Sequence, residues 1–319
     1  MQWYPKAIHT PFGKLMIELG KYSESIFDES FLHIGQNRAN VEKRIIFHQE
    51  YKAELANNNT VQPTGFIFHA GRCGSTLLAK MLSQLEGSRA IMEAPVLNSY
   101  LDYSLNSSHE DAQKAAIFRT ITNGFSIDDK RETKHVFIKF TSWNIHFFKL
   151  ILATYPSVPW IYVYRNPLET IVSNLDTVSN LKLFLQQKPD LFSHILGIKK
   201  TDSLEEMTDE VFFAQLFHSN FKTALSIPKS EKGLYIPYEN IKLDFFSSIL
   251  PHFNVKCTRE EREKIIACGK LNSKSKDKLH FQEDTSNKQK KANDKLKDIA
   301  TNFNLMNQYQ MLKSDFVYK

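Results

Sequence analysis

The sequence has few cysteines and no long hydrophobic run. Its 319 residues include three cysteines, Cys73, Cys257 and Cys268, an odd number without the spacing of metal ligands. A disulfide scaffold is therefore excluded, and a reducing compartment is the simplest interpretation. The longest uncharged apolar stretch, 150–164, contains two prolines, whereas a membrane-spanning helix needs about 20 mostly apolar residues.

Other features that the sequence lacks exclude further classes of protein. The amino terminus lacks the continuous apolar segment of a signal peptide. Glycine and proline number only 11 each, and the apolar fraction is ordinary, so the chain is neither collagen-like nor wholly disordered. We therefore expect a cytoplasmic protein without a membrane span. Forty-one Lys and Arg oppose 35 Asp and Glu, and the net charge of +6 suggests anionic partners without identifying them.

Short apolar strands alternate with helical patterns through most of the chain. The predicted strands are 65–70, 90–94, 136–140, 160–164 and 233–237, and the predicted helices are 76–85, 143–154, one after Asn166, 241–250 and 296–312. The first of these strands is apolar on both faces, which is typical of a buried parallel strand. The alternation predicts an α/β fold with three layers, in which helices flank a mainly parallel sheet.

The turn between strand 65–70 and its helix carries the strongest chemical signal. Gly71 and Gly74 permit a tight turn and a close approach of a ligand to the backbone. The helix that follows presents unpaired amides and the positive end of its dipole. Arg72 adds a charge, and Ser75 and Thr76 add hydroxyls. The segment predicts a phosphate-binding loop, and a plain glycine turn with a surface arginine is the alternative.

This loop is not a Walker A motif, because that motif needs a lysine directly after its second glycine. Here Ser75 follows Gly74, and His69 stands where the first glycine would be. A kinase with a degenerate loop, using ATP and Mg²⁺, is the alternative enzyme. His69 itself is interpreted as a packed core histidine or as a support for a neighbouring site residue.

A second anion site is predicted at the end of strand 160–164. Arg165 follows that strand, and Ser173 lies about two helical turns into the next helix. In Mg-dependent nucleotide hydrolases, such a strand often ends in an aspartate that supports the metal. An arginine there favours direct binding of an anion. The alternative is a simple salt bridge for Arg165 and a solvated position for Ser173.

These two motifs together resemble those of a known enzyme family. Residues 66–78 are similar to the 5′-phosphosulfate loop of the PAPS-dependent sulfotransferases, where PAPS is 3′-phosphoadenosine 5′-phosphosulfate. Residues 161–173 are similar to their 3′-phosphate motif, in which a strand-end arginine and a helix serine bind that phosphate. Residues 238–239 resemble a Tyr-Glu pair of the family, and 275–277 resemble a C-terminal cofactor element of its bacterial members. Cys73 departs from the usual loop, where a serine is common.

The resemblance implies a P-loop-like sulfotransferase fold and the transfer of a sulfuryl group from PAPS to a hydroxyl or amine. It requires no metal. The cofactor contacts that it implies are Arg72, Cys73, Gly74, Ser75, Thr76, Arg165, Ser173 and Lys276. The implied acceptor is a small molecule or a carbohydrate, and no nucleic acid partner is expected.

The candidate catalytic residues are Arg72, Lys139 and Glu93. Arg72 and the helix amides are placed to take the charge that develops on the leaving oxygen. Lys139 sits inside an apolar strand, where a lysine is costly without an anionic partner, and it resembles a family lysine near the sulfuryl group. Glu93 follows the next strand and resembles the catalytic glutamate of some bacterial members. It is the candidate base, and an ordinary loop carboxylate is the alternative.

The chain is divided into three segments. Residues 1–60 are a lead-in segment, partly helical around 40–55, and 61–255 are the cofactor-binding and catalytic core. Residues 256–319 form a C-terminal lysine-rich loop and a helix that pack on this core. The polar stretch 270–297 is predicted to be a long surface loop, and a non-catalytic nucleotide-binding or anion-binding protein that uses it is the third hypothesis.

Overall fold

The computed structural model describes residues 1–38, 40–128, 132–176, 181–199, 205–270 and 292–315. The strands are β1 (Gln2–His9), β2 (Met16–Tyr22), β3 (Lys43–Phe47), β4 (Gly65–His69), β5 (Ser88–Met92), β6 (His135–Lys139), β7 (Trp160–Tyr164) and β8 (Gly233–Pro237).

The helices in the same ranges are α1 (Leu32–Arg38), α2 (His48–Ala56), α3 (Ser75–Leu82), α4 (Pro95–Asn106), α5 (Asp111–Asn123), α6 (Phe148–Thr154), α7 (Pro167–Leu175), α8 (Leu181–Gln186), α9 (Pro189–Leu196), α10 (Asp209–Ser226), α11 (Leu250–His252), α12 (Arg259–Gly269), α13 (Asp294–Asn302) and α14 (Leu305–Asp315). Shorter helical turns cover Pro11–Gly13, Glu24–Asp28, Ser142–Phe147, Tyr238–Asn240 and Phe245–Ile249.

The central sheet is parallel, as the sequence predicts. Its strands lie in the order β5-β6-β4-β7-β8, so the chain crosses from one side of β4 to the other as it proceeds. Since every pair is parallel, the carboxyl ends of all these strands lie at one edge. In open α/β sheets, that edge holds the ligand crevice.

Alternate residues of each central strand pack into different halves of the core. Phe66 and Phe68 of β4 belong to a cluster on one face, which also contains Tyr162 of β7. Ile67 and Ile161 belong to a second cluster on the other face, against α3 and α12. Both faces are therefore covered by helices, and the prediction of three layers is confirmed.

The first sixty residues contain strands that the sequence does not reveal. β1, β2 and β3 form an antiparallel sheet, and the helix expected over 40–55 begins only at His48. Residues 43–47 are instead a strand whose Ile46 pairs with Ile17 of β2. Arg89 of β5 holds this unit to the core, since its Nη2 donates to Glu24 at 2.8 Å. Such pairing is decided by partners far away in the chain, so local patterns do not predict it.

The C-terminal region follows the prediction in part. The helix expected over 296–312 is two helices, α13 and α14, separated at Asn304, whose φ of 55° ends the first one. Most of the polar stretch 270–297 lies outside the described residues. Helix 241–250 is replaced by a π-helical turn at Phe245–Ile249. Among the described residues, no helix is long and apolar enough to cross a membrane.

Candidate active site

Four chemically important side chains come from the carboxyl edge of the central sheet. His69 is the last residue of β4, and Lys139 is the last residue of β6. Glu93 and Arg165 directly follow β5 and β7. Because β4 lies between β6 and β7, these side chains surround one crevice rather than separate surfaces.

The phosphate loop, residues 70–74, turns sharply between β4 and α3. Gly71, Arg72 and Gly74 have φ values of 94°, 51° and 82°. Glycine adopts this left-handed region without strain, but an arginine does not. The surrounding structure therefore holds Arg72 in a strained conformation at the tip of the loop.

Gly74 is required by space as well as by its backbone angle. A Cβ atom there would lie 2.6 Å from the ring of Tyr238 and 2.9 Å from Ile241. Ser75 and Thr76, which begin α3, are both buried. Their amides are among the first four of the helix, which have no intrahelical partners. Together with the helix dipole, these amides favour an anion in front of α3.

Arg72 joins this loop to the second predicted anion site. Its Nη2 donates a hydrogen bond of 3.1 Å to the carbonyl oxygen of Ser173, 101 residues later in the chain. Ser173 lies on α7 and is buried rather than solvated. Two motifs that the sequence identifies separately thus meet in one place.

Arg165 is buried beside an acidic partner that sequence reasoning overlooked. Its Nε donates to Oε2 of Glu169 at 2.7 Å, and the side chains are 6% and 5% exposed. Its guanidinium carbon lies 4.2 Å from the centroid of the Tyr238 ring. The spacing of four residues, from the end of β7 to the first turn of α7, was the available signal for this pair. Arg165 is therefore a buried cation held beside a carboxylate at the end of β7.

Cys73 occupies the phosphate loop, but its thiol faces the sheet. Sγ donates to the carbonyl oxygen of Val163 at 3.1 Å, and the residue is fully buried. Burial raises the pKa of this thiol. The side chain therefore does not replace the serine hydroxyl of the usual loop as a ligand group, and any contact of Cys73 with a cofactor would come from its backbone.

Glu93 and Lys139 form an ion pair in the crevice. Lys139 is 1% exposed and Glu93 is 20% exposed. Glu93 also has a φ of 53°, so the structure holds it in a strained conformation, as it does Arg72. Burial by itself raises the pKa of Glu93, but the Lys139 ammonium and the His69 ring together lower it to about 2. The carboxylate is therefore ionised at neutral pH.

A cavity of about 620 Å³ lies along α4. Pro95, two residues after Glu93, lines it, and so does Trp143. The N-terminal segment contributes Ile8 and Thr10. A contribution from residues before 60 was not predicted, because it depends on how the antiparallel sheet docks on α4.

Other residues have different places. His146, in the helical turn Ser142–Phe147, bonds to Asn220 at 2.9 Å and to Thr223 at 3.1 Å and so packs against α10. Glu239, of the Tyr-Glu pair, forms an ion pair of 2.8 Å with Lys313. Lys276 lies outside the described residues.

In the part of the chain that the structure describes, no group of three or more His, Cys, Asp or Glu side chains is placed to hold a metal ion. The charged groups of the crevice are the cations Arg72, Lys139 and Arg165 and the carboxylates Glu93 and Glu169.

A comparison with protein-family models gives a match over most of the chain. Residues 64–303 match the family model described as the sulfotransferase domain. No curated protein matches the sequence.

Several solved structures are similar at low identity. A sulfotransferase from Alicyclobacillus acidocaldarius is 15% identical, with a TM-score of 0.37, over 65% of this chain and 91% of that one. One from Mycobacterium avium is 10% identical, with a TM-score of 0.45, over 76% and 78%. A mouse sulfotransferase in complex with PAP is 17% identical, with a TM-score of 0.41, over 97% and 95%.

Proposed function

The chain belongs to the sulfotransferase-domain family, and we propose that it transfers a sulfuryl group from PAPS to a hydroxyl or amine acceptor. One contact supports this proposal above the others. The bond from Arg72 to the Ser173 carbonyl places the two anion-binding segments side by side. A nucleotide that carries one anionic group at its 5′ end and another at its 3′ position requires such a pair of sites.

The residues present fit this co-substrate. The loop amides, Arg72 and the hydroxyls of Ser75 and Thr76 would hold the 5′-phosphosulfate. Arg165 and Ser173 would hold the 3′-phosphate. The positive φ of Gly71 and of Gly74 gives the loop the tight turn that this arrangement needs.

The transfer needs a base, an electrophile and a stabilised leaving group. We propose that the Glu93 carboxylate accepts the proton of the acceptor while the acceptor oxygen or nitrogen forms its new bond to sulfur. The bond between sulfur and the bridging oxygen of the 5′-phosphate breaks, and its electron pair stays on that oxygen. Arg72 and the first amides of α3 would stabilise this charge. The products are the sulfated acceptor and adenosine 3′,5′-bisphosphate (PAP).

Lys139 has two tasks in this scheme. Its ammonium keeps Glu93 ionised and, with three protons to donate, it could also bind a sulfuryl oxygen. An anion beside Lys139 reduces the electrostatic stabilisation that the ammonium gives to the ionised Glu93 carboxylate. The pKa of Glu93 would then rise from about 2 towards the range in which a carboxylate accepts a proton effectively.

The cavity beside Pro95 and Trp143 is the proposed acceptor site. Its volume of about 620 Å³ suits a small molecule or a carbohydrate unit. Ser99, Asp102 and Tyr103 of α4 line it with polar groups. A cytoplasmic location and the absence of a nucleic acid partner stay predictions.

The same residues support the kinase hypothesis less well than they support a sulfotransferase. No lysine follows Gly74, and Arg165 stands where a metal-supporting aspartate would follow β7. A non-catalytic nucleotide-binding protein would use the two anion sites but would not need Glu93 paired with Lys139.

Calorimetric titration tests the proposal. The purified protein is titrated with PAP in the presence of EDTA and, separately, with ATP and Mg²⁺. We expect PAP to bind without metal and more tightly than ATP, and we expect Arg165→Ala to weaken PAP binding by at least about 100-fold, because charge-assisted bonds to a buried phosphate are lost. Arg259→Ala, which changes an arginine that is 94% exposed, is the matched control and should leave affinity unchanged.

Turnover is measured separately with PAPS and a panel of phenolic, alkyl and sugar hydroxyl acceptors. Sulfated product would support the enzyme. Tight PAP binding without turnover of any acceptor would favour the non-catalytic alternative, and selective binding of ATP with Mg²⁺ would overturn the sulfotransferase proposal.

A further inference from the structure

His69 makes contacts on two sides, and the reaction scheme does not use it. On one side, the backbone N–H of Gly71 donates to Nδ1 at 3.0 Å. On the other side, Nε2 lies 2.9 Å from the carbonyl oxygen of Phe140 and 3.6 Å from Oε1 of Glu93. The ring is 5% exposed and ends β4. It therefore spans the distance between the phosphate loop and the candidate base.

These contacts locate the proton of the ring. A backbone N–H can only donate, so Nδ1 must accept and carries no hydrogen. A carbonyl oxygen can only accept, so Nε2 must carry the hydrogen. The ring is thus the neutral Nε2–H tautomer, and its N–H points towards Phe140 and Glu93.

The surroundings keep the ring neutral. Burial and the nearby Lys139 ammonium lower the pKa of His69 to about 4, although Glu93 acts in the opposite direction. Lys139 from β6 and Glu93 after β5 are the charged groups that face it among the described residues. A histidine in this state is neither a general base nor a charge, and its effect must come through its two hydrogen-bonding nitrogens.

We propose that His69 is a positioning residue that couples the phosphate loop to Glu93. Its Nδ1 holds the Gly71 amide and so fixes the left-handed turn of the loop. Its Nε2–H fixes the carbonyl of Phe140, and with it the end of β6, and faces the carboxylate of Glu93. Ordering of the loop by the co-substrate would therefore also order the base. This inference rests on the proposed sulfuryl transfer.

Two substitutions test the roles of the two ring nitrogens of His69 separately. In His69→Asn, the amide oxygen can take the place of Nδ1 and accept from Gly71, but the contact on the Nε2 side is lost. In His69→Gln, the longer amide can take the place of Nε2, and the acceptor for Gly71 is lost. His252 provides the matched control, because its Nε2 bonds to the carbonyl of Trp160 at 3.0 Å at the opposite edge of the same sheet.

The variants are compared by PAP affinity and by steady-state kinetics across pH. Loss of one net hydrogen bond changes an equilibrium by roughly three- to tenfold. We expect His69→Asn to keep PAP affinity within about twofold and to lower kcat by about tenfold. Because the ring lowers the pKa of Glu93, the acid limb of kcat/KM should also move to higher pH.

His69→Gln should show the reverse pattern, with PAP affinity about fivefold weaker and kcat within about threefold. Replacement of His252 by Asn or Gln should lower only the unfolding temperature. Equal losses of kcat and affinity in both His69 variants, matched by lost stability, would mean that the ring only packs and would overturn the proposal.

A spectroscopic measurement is independent of activity. The ¹⁵N chemical shifts of labelled histidine rings in the whole protein should show the neutral Nε2–H form of His69 from pH 5.5 to 8. A ring that titrates near pH 6.5, or a proton on Nδ1, would contradict the inference. If the wild-type protein neither binds PAP nor transfers a sulfuryl group, then the proposed function has failed, whereas normal wild-type activity with unaffected His69 variants rejects only the role of His69.

Discussion

On the cofactor side of the site, each of the two predicted anion-binding segments is continuous in the chain, and the bond from Arg72 to Ser173 joins them across 101 residues. Arg165 bonds to Glu169 four residues later, and the phosphate loop and the start of α3 occupy adjacent residues. On the base side, Glu93 pairs with Lys139, 46 residues away, and the cavity along α4 takes residues from the first ten of the chain. Each segment of the cofactor side can be read from a motif, whereas the base side depends on the order of strands in the sheet.

The two sides also place strain differently. On the cofactor side, one strained residue, Arg72, stands between two glycines. Because glycine adopts a positive φ without strain, most of the turn of the loop costs little conformational energy. The base side strains Glu93 itself and buries its lysine partner almost completely. Substitutions should therefore affect mainly affinity on the cofactor side, and mainly rate and stability on the base side.

The largest effect is expected for Glu93→Gln. Loss of a general base lowers kcat by about 10²- to 10⁴-fold, while affinity for PAP should stay within about threefold because the anion sites are unchanged. Initial rates and PAP calorimetry measure the two quantities. Glu86→Gln, in an exposed pair with Lys134, is the control. An unchanged kcat would remove Glu93 as the base.

Lys139→Met tests the buried pair. Removal of one partner of a buried ion pair typically costs about 3–5 kcal/mol of unfolding free energy, because the other charge is left without compensation. Urea denaturation should show this loss, and the double variant with Glu93→Gln should recover part of it. The pKa of Glu93 should rise when the ammonium is absent. Equal stability of the single and double variants would argue against direct coupling.

Gly74→Ala is expected to lower the affinity for PAP. The added Cβ would lie 2.6 Å from the Tyr238 ring, so the loop and its amides would have to shift from their present positions. We expect PAP affinity to fall by about tenfold or more, since several charge-assisted bonds depend on that backbone. Gly197→Ala is the matched control, because its φ is also positive, at 66°, but no atom lies within 4 Å of the added carbon. It should cost about 1 kcal/mol of stability and no affinity.

The smallest effect, about 1.4 kcal/mol per pH unit, is expected when one buried histidine is removed from the pH dependence of stability. His48, His69 and His146 each have a pKa lowered to about 4, mainly by burial. Between pH 6.5 and 4 the unfolded chain binds protons that the folded chain does not, so the unfolding free energy falls as pH falls. Each histidine contributes up to about 1.4 kcal/mol per pH unit.

His69→Gln should reduce that slope by about one proton, as measured by urea denaturation at several pH values. His69 contacts both sides, through the Gly71 amide of the loop and beside Glu93. A slope equal to that of the wild type would mean that the folded protein protonates His69 as readily as the unfolded chain does.

The fold was largely predictable because its signals are local. Apolar runs such as 65–70 and 160–164, each followed by a helical pattern, indicated the parallel sheet, and the burial of both faces of those strands agrees. The strands at 2–9, 16–22 and 43–47 were missed. Their residues alternate only weakly, and antiparallel pairing between distant segments, rather than propensity, holds them together.

The candidate site was predictable to a smaller extent. The sequence predicted which cations would bind anions, a prediction that stays open, and the cost of a buried lysine indicated that Lys139 needs an anionic partner. It did not identify that partner as Glu93, the direction of the Cys73 thiol or the bond from Arg72 to Ser173. Each of these depends on distances between strand ends.

The sequence by itself determined the parallel sheet, the phosphate loop with its glycines, and the cations available at two strand ends. Backbone freedom, helix dipoles and apolar periodicity act over a few residues, so these features follow from local chemistry. Tertiary structure alone decided that β6 lies beside both β4 and β5, which brings Lys139, Glu93 and His69 together. Hydrogen bonds and Coulomb forces between such groups act only at short range, and the order of the strands sets which groups come within that range.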